Sequence, residues 1–255
     1  MCHKSCGQEQ PQLFREWEIM KKKLGISSAV LKWIAVFCMI IDHFACAVYN
    51  QRVLGDRCSP EVYHFLRDII GRIAFPIYCY LLVEGFFHTK SVWKYLRNLA
   101  IFAVLSEIPF NMAIFGKVFY PKGQNVYFTL ALGLCAIILL KNVAGFRFPQ
   151  LLAQAVIIAV FLLLGEHLEV DYHWKGIAYI VLFYYLKEIR IREGLAALAG
   201  AASFVMYEPA AVLAFIPIYL YNGKRGRQIK YLFYAIYPLH LAVFGMLRFW
   251  LCGRL

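Results

Sequence analysis

Between residues 29 and 251 the chain is a succession of apolar runs broken by short charged loops, a pattern that leaves few folds open. The runs fall at about 29–49, 68–87, 97–115, 125–141, 149–165, 174–187, 194–206, 209–221 and 231–251. A membrane-spanning helix needs about 20 apolar residues, because the backbone must satisfy its own hydrogen bonds across the hydrocarbon. Most of the runs approach that length. The seventh and eighth hold about 13 residues each and are separated by Pro209, so they read as half-spans or one broken pair. Composition points the same way: 62% of residues are hydrophobic and 16% charged, against about half and a quarter in soluble domains. The expected fold is all-α, a polytopic membrane helical bundle of about nine spans (eight to ten).

Lys and Arg fall unevenly between alternate loops. Seventeen of the 27 lie in one set: the N-terminal tail and the stretches 90–97, 141–147, 187–192 and 224–230. Seven lie in the other set, and Lys32, Arg72 and Arg248 fall inside runs. The bias predicts a cytoplasmic N-terminus and accounts for the net charge of +12 without nucleic acid. Residues 1–28 read as a cytoplasmic tail. Leu13, Trp17, Met20 and Leu24 share one helical face there beside Lys21, Lys22 and Lys23, a candidate interfacial amphipathic helix. Residues 29–251 read as one transmembrane domain. No secretory signal is visible, and the first run reads as an uncleaved signal anchor. The eight cysteines form neither a disulfide framework nor a zinc pattern, and no metal is expected.

Against this background the ionisable residues inside the runs stand out. Each charge at mid-bilayer costs about 2.5–3.5 kcal/mol on insertion scales. Asp42, Arg72, Glu84 and Glu107 face that cost. Such residues are functional candidates, with their partners to be identified. In "AVFCMIIDHFACAVY" Asp42 and His43 are neighbours, so they point about 100° apart and serve different partners. A pair between Asp42 and Arg72 would neutralise both, and the plainer reading of the two is structural. His43 is then left to face a cavity, where a neutral imidazole can exchange a proton near neutral pH.

Other polar residues follow helical spacing. In "SEIPFN", Glu107 and Asn111 share a face, with Pro109 kinking the helix between them. In "NVYFTLALG", Asn125, Thr129 and Gly133 recur every four residues, a polar stripe or a close-packing seam. In "EGFFHT", Glu84, His88 and Thr89 cluster at one end of the second run; in "YPLHL", His240 lies near mid-depth of the last. His43, Glu107, Asn111, Thr129 and His240 group toward the outer half, and Glu84, His88 and Thr89 at the inner surface.

The segments "IIDHF", "GRIAFPIYCYLLVEGFFHT", "YLRNLAIFAVLSEIPFN", "NVYFTLALG", "DYHWKG" and "YPLHL" occur in the order seen in the TraX family, and the chain resembles that family over about residues 30–241. The family takes its name from a conjugal-transfer protein that N-acetylates pilin. Where its pattern reads as an aromatic-rich "DYGW-G", this chain carries His173 in place of the first glycine. The resemblance implies an integral acyltransferase of the bacterial cytoplasmic (inner) membrane. Acetyl-CoA would be the donor, and an amine or hydroxyl on the extracytoplasmic side the acceptor. It is more distantly similar to transmembrane acyltransferases that use an intramembrane histidine. By that analogy His43 is the catalytic candidate, with Asp42 and Glu107 beside it. Arg72, Asn111, Asn125, Thr129 and His240 are candidates for the substrate side, with Arg72, Asn111 and Asn125 available to a developing oxyanion. Glu84, His88 and Thr89 are candidates for the donor side. Membrane lipids, the acyl donor and an unidentified acceptor are the expected partners. A proton-coupled transporter and a non-enzymatic scaffold for surface-fibre assembly are the alternatives.

Overall fold

The computed structural model describes residues 24–188, 209–227 and 229–253. Eight helices of more than ten residues account for most of them: α1 (Ser28–Ala47), α2 (Pro60–His88), α3 (Val92–Phe115), α4 (Val126–Asn142), α5 (Phe148–His167), α6 (His173–Glu188), α7 (Pro209–Tyr219) and α8 (Lys230–Leu251). Five are long and apolar enough to cross a membrane: α1, α2, α3, α5 and the Tyr231–Leu251 part of α8. Helices α4 and α7 are apolar but shorter. The run at 194–206 and the amphipathic positions Leu13, Trp17 and Met20 lie outside the described residues.

Helix starts are set by polar residues that hydropathy alone passes over. Ser27, Ser59, Ser91 and Asn125 each accept a hydrogen bond from a first-turn amide, satisfying a donor that the helix leaves orphaned. Ser59 with Pro60 therefore starts α2 eight residues before the apolar run at 68–87 begins. Two helices change register midway. In α2 a π segment, Phe65–Ile70, passes through a tight turn at Gly71–Ile73 before regular helix resumes. In α3 the helix continues past Pro109, where a kink is expected, and becomes π over Asn111–Phe115.

The loops gather at two ends. At one end the start of α1 is stitched to the α7–α8 loop: Ile26 N donates to Leu220 O, Ser28 N to Lys224 O and Ala29 N to Arg225 O. Glu84 near the end of α2 meets Lys187 near the end of α6 at the same end. At the other end the α3–α4 and α5–α6 loops pair, Gln124 N donating to Glu169 O and Asp171 N to Gln124 O. Arg248 near the end of α8 donates to Ala113 O and Ile114 O at 2.7 and 2.9 Å, capping α3.

Between the ends lies an apolar core. Leu31, Ile77, Leu134, Ile137, Ile177, Ile180 and Leu241 are wholly buried. Helices α4 and α6 approach closely because Gly133 and Gly176 leave room for Ile180 and Thr129. The stripe Thr129–Gly133 is this packing seam. Helix α5 buries only Gln154 and Gly165. It turns Leu151, Leu152, Val156, Val160 and Leu163 outward, an apolar surface suited to lipid. Cys58 is buried at the turn before α2.

Candidate active site

Asp42 and His43 face different helices, as adjacent positions must. Asp42 packs against Gly71 in α2, so tightly that a Cβ there would overlap its carboxyl group. Its neighbour in sequence, Arg72, pairs with Asp68 at 3.6 Å. Asp68 also holds His64 at 2.7 Å and Arg67 at 3.8 Å. Asp42, Arg67 and Arg72 all act electrostatically on Cys46, one turn beyond Asp42 on α1.

His43 points at α8. Its Nδ1 lies 2.6 Å from Nε2 of His240, and the two rings are nearly parallel, 12° apart. Nδ1 of His240 lies 2.7 Å from the Ile236 carbonyl, one turn back. Pro238 stands between them and has no amide to give, which leaves the Tyr234 carbonyl without its helical donor. Tyr127 of α4 fills that role, its hydroxyl donating to Tyr234 O at 3.1 Å.

Tyr237 joins this pair to a second polar group. Its ring stands edge-on to His43 and His240 at centroid distances of 5.6 and 5.7 Å, and to Tyr127 at 4.9 Å. Its hydroxyl is buried, faces the Val126 amide at the start of α4, and feels the charges of Glu107 and Asp171. The hydroxyl proton has no acceptor among the described residues. Beyond it, Glu107 Oε2 accepts from the Asn125 side-chain amide at 2.6 Å. The other hydrogen of that amide goes to Ala103 O at 2.7 Å. The Asn125 side-chain oxygen caps α4 through Tyr127 N. Asn125 therefore uses both amide hydrogens and one oxygen lone pair to hold Glu107, the Ala103 carbonyl and the start of α4. Asn111 also bonds Glu107 and is 1% exposed, with its own oxygen left over.

Thr129 donates to the Asp171 carbonyl and so ties α4 to the "DYHWKG" turn. Tyr172 and His173 both take left-handed backbone angles there, φ 64° and 48°. The turn that glycine would favour is kept although His173 stands in its place. Tyr172 stacks on Phe75 of α2 at 3.7 Å. Sequence reasoning passed over two participants. Asp171 and Tyr237 stand unsingled in the motifs "DYHWKG" and "YPLHL".

The remaining candidates lie at the opposite end. Glu84 is held by Lys187 and accepts from the Tyr221 hydroxyl at 3.3 Å. His88 reaches back to the Glu84 carbonyl at 2.8 Å. Thr89 ends α2 and bonds locally with Ser91. They form a separate group from the histidine pair. Lys141 and Lys187 flank the Phe87 ring beside them, at 5.9 and 5.2 Å.

Fold and site together define a multi-pass, all-helical membrane protein with a buried histidine pair and a nearby amide-bound carboxylate. The chain belongs to the TraX family: the model described as "TraX protein" matches residues 27–248. A relative in Dichelobacter nodosus, "Probable fimbrial assembly protein FimC, serogroup H1", is 30% identical over 252 residues, covering 88% of this chain and 96% of its own length. No solved structure matches.

Proposed function

We propose that this protein is a membrane-embedded acyltransferase of the bacterial cytoplasmic membrane, moving an acetyl group from acetyl-CoA to an amine or hydroxyl acceptor. The observation that carries the reading is the His43–His240 contact. Two imidazoles from spans at opposite ends of the sequence meet inside the bundle, one of them anchored to a backbone carbonyl. Proton-transfer groups are arranged in this way, with the working base held by a second residue.

In this reading His43 takes the proton from the acceptor nitrogen or oxygen as that atom attacks the thioester carbonyl. The carbon–sulfur bond then breaks, and the departing thiolate receives the proton from His43. Tyr237, whose hydroxyl proton has no acceptor among the described residues, donates to the oxyanion formed in between. The chain's fit to an acyl donor lies in that proton and the adjacent imidazole. Glu107, fixed by Asn125 and Asn111, orients the acceptor. The Lys- and Arg-rich loops would lie on the cytoplasmic side, where an anionic donor arrives.

The test is acetyl transfer or acetyl-CoA hydrolysis by the purified protein, wild type against His43→Ala. Loss of about 10²–10⁴-fold is expected for removal of a general base; equal rates would remove His43 from the mechanism. The relative named for fimbrial assembly favours a second reading, a scaffold for surface-fibre assembly without catalysis. That reading predicts normal fibres in cells carrying alanine at His43 and Glu107.

A further inference from the structure

We infer that His240 is a positioning residue that fixes the tautomer of His43, leaving Nε2 of His43 as the nitrogen that exchanges a proton with substrate. The functional half of this inference rests on the proposed acyl transfer; the tautomer rests on geometry alone. His240 Nδ1 lies 2.7 Å from the Ile236 carbonyl oxygen. A carbonyl only accepts, so the hydrogen between them belongs to Nδ1 of His240. A neutral imidazole has one ring hydrogen, so Nε2 of His240 carries a lone pair. That lone pair faces Nδ1 of His43 at 2.6 Å. Two lone pairs cannot face each other at that distance, so Nδ1 of His43 carries the hydrogen and donates. The unprotonated nitrogen of His43 is then Nε2.

The reverse assignment requires both nitrogens of His240 to be protonated, placing a full positive charge within the bundle. The assigned arrangement needs none. It also acts at the right moment. When Nε2 of His43 gains a proton, its Nδ1–H bond to His240 becomes charge-assisted and strengthens. The Ile236 carbonyl keeps His240 from turning over, and His240 keeps His43 from doing so. Neither ring needs a carboxylate for this, and Asp42 packs against Gly71 of α2 instead.

The direct experiment is nitrogen NMR of the full chain, labelled with ¹⁵N-histidine and held in lipid nanodiscs, with signals assigned by loss in His43→Gln and His240→Gln. Both rings are expected to be protonated at Nδ1 and bare at Nε2. Protonation of His43 at Nε2 in the wild type overturns the inference without recourse to any variant. In His240→Leu the His43 signals should move away from the single Nδ1–H pattern; unchanged signals overturn it. Kinetically, His240→Leu should lower kcat by about 10²-fold at unchanged KM. His240→Gln, whose amide oxygen keeps an acceptor near the same place, should recover most of that; equal losses in the two variants overturn the positioning role. The two proposals fail separately. The assigned tautomer without any acyl transfer contradicts the function alone, and transfer with an Nε2-protonated His43 contradicts this inference alone.

Discussion

His43 and His240 stand 197 residues apart in sequence and share one short hydrogen bond. Their neighbour Tyr237 presents a buried hydroxyl whose proton meets no acceptor among the described residues. If that proton serves the oxyanion, Tyr237→Phe should lower kcat by about 10²-fold and leave KM nearly unchanged. Steady-state kinetics check this, and a wild-type kcat would contradict the role. The visibility of these residues in sequence follows from their chemistry. An imidazole or carboxylate in an apolar run costs enough to be noticed, so His43, Glu107 and His240 could be picked out singly. Tyr237 could not, because a tyrosine in hydrocarbon costs little and the chain has 17 of them. The pairing was also hidden. Nothing local to "IIDHF" says that its partner sits in "YPLHL". Asn125 was legible as polar, but its task became clear only when both amide hydrogens could be traced.

At the scale of elements, periodicity and length located the helices, while their irregularities escaped. The π segments of α2 and α3 leave no composition signature, since the same side chains suit an ordinary helix. The polar first turns of α2 and α3 were missed for a related reason. Hydropathy marks where lipid contact begins, whereas a serine cap and a proline mark where the helix begins. The "DYHWKG" turn carries a measurable consequence. His173 adopts φ 48°, a conformation that costs a residue with a Cβ about 1 kcal/mol relative to glycine. His173→Gly should therefore raise the thermal midpoint in detergent by about 2–4 °C for a domain of this size. A lower midpoint would mean that contacts of the His173 side chain outweigh the backbone relief.

For the whole molecule, the alternation of charged loops was the most readable feature, because each loop's charge is set by the side of the membrane it occupies. Among the described residues, the start of α1 meets the α7–α8 loop at one end, and the α3–α4 and α5–α6 loops pair at the other. The polar groups divide accordingly: Glu84, Lys187 and His88 near one end, and His43, His240, Tyr237, Glu107 and Asn125 toward the other. Such a layout suits a protein that receives a donor on one side and serves an acceptor from the other. The measurement that bears on this most directly uses sealed vesicles containing the purified protein in one orientation. Labelled acetyl-CoA is supplied on the side of the α7–α8 loop, and a membrane-impermeant amine on the side of the α3–α4 loop. Acetylated amine is expected on the far side with wild-type protein and none with His43→Ala. Acetylation that needs donor and acceptor on the same side, or that survives in His43→Ala, would contradict the proposed transfer.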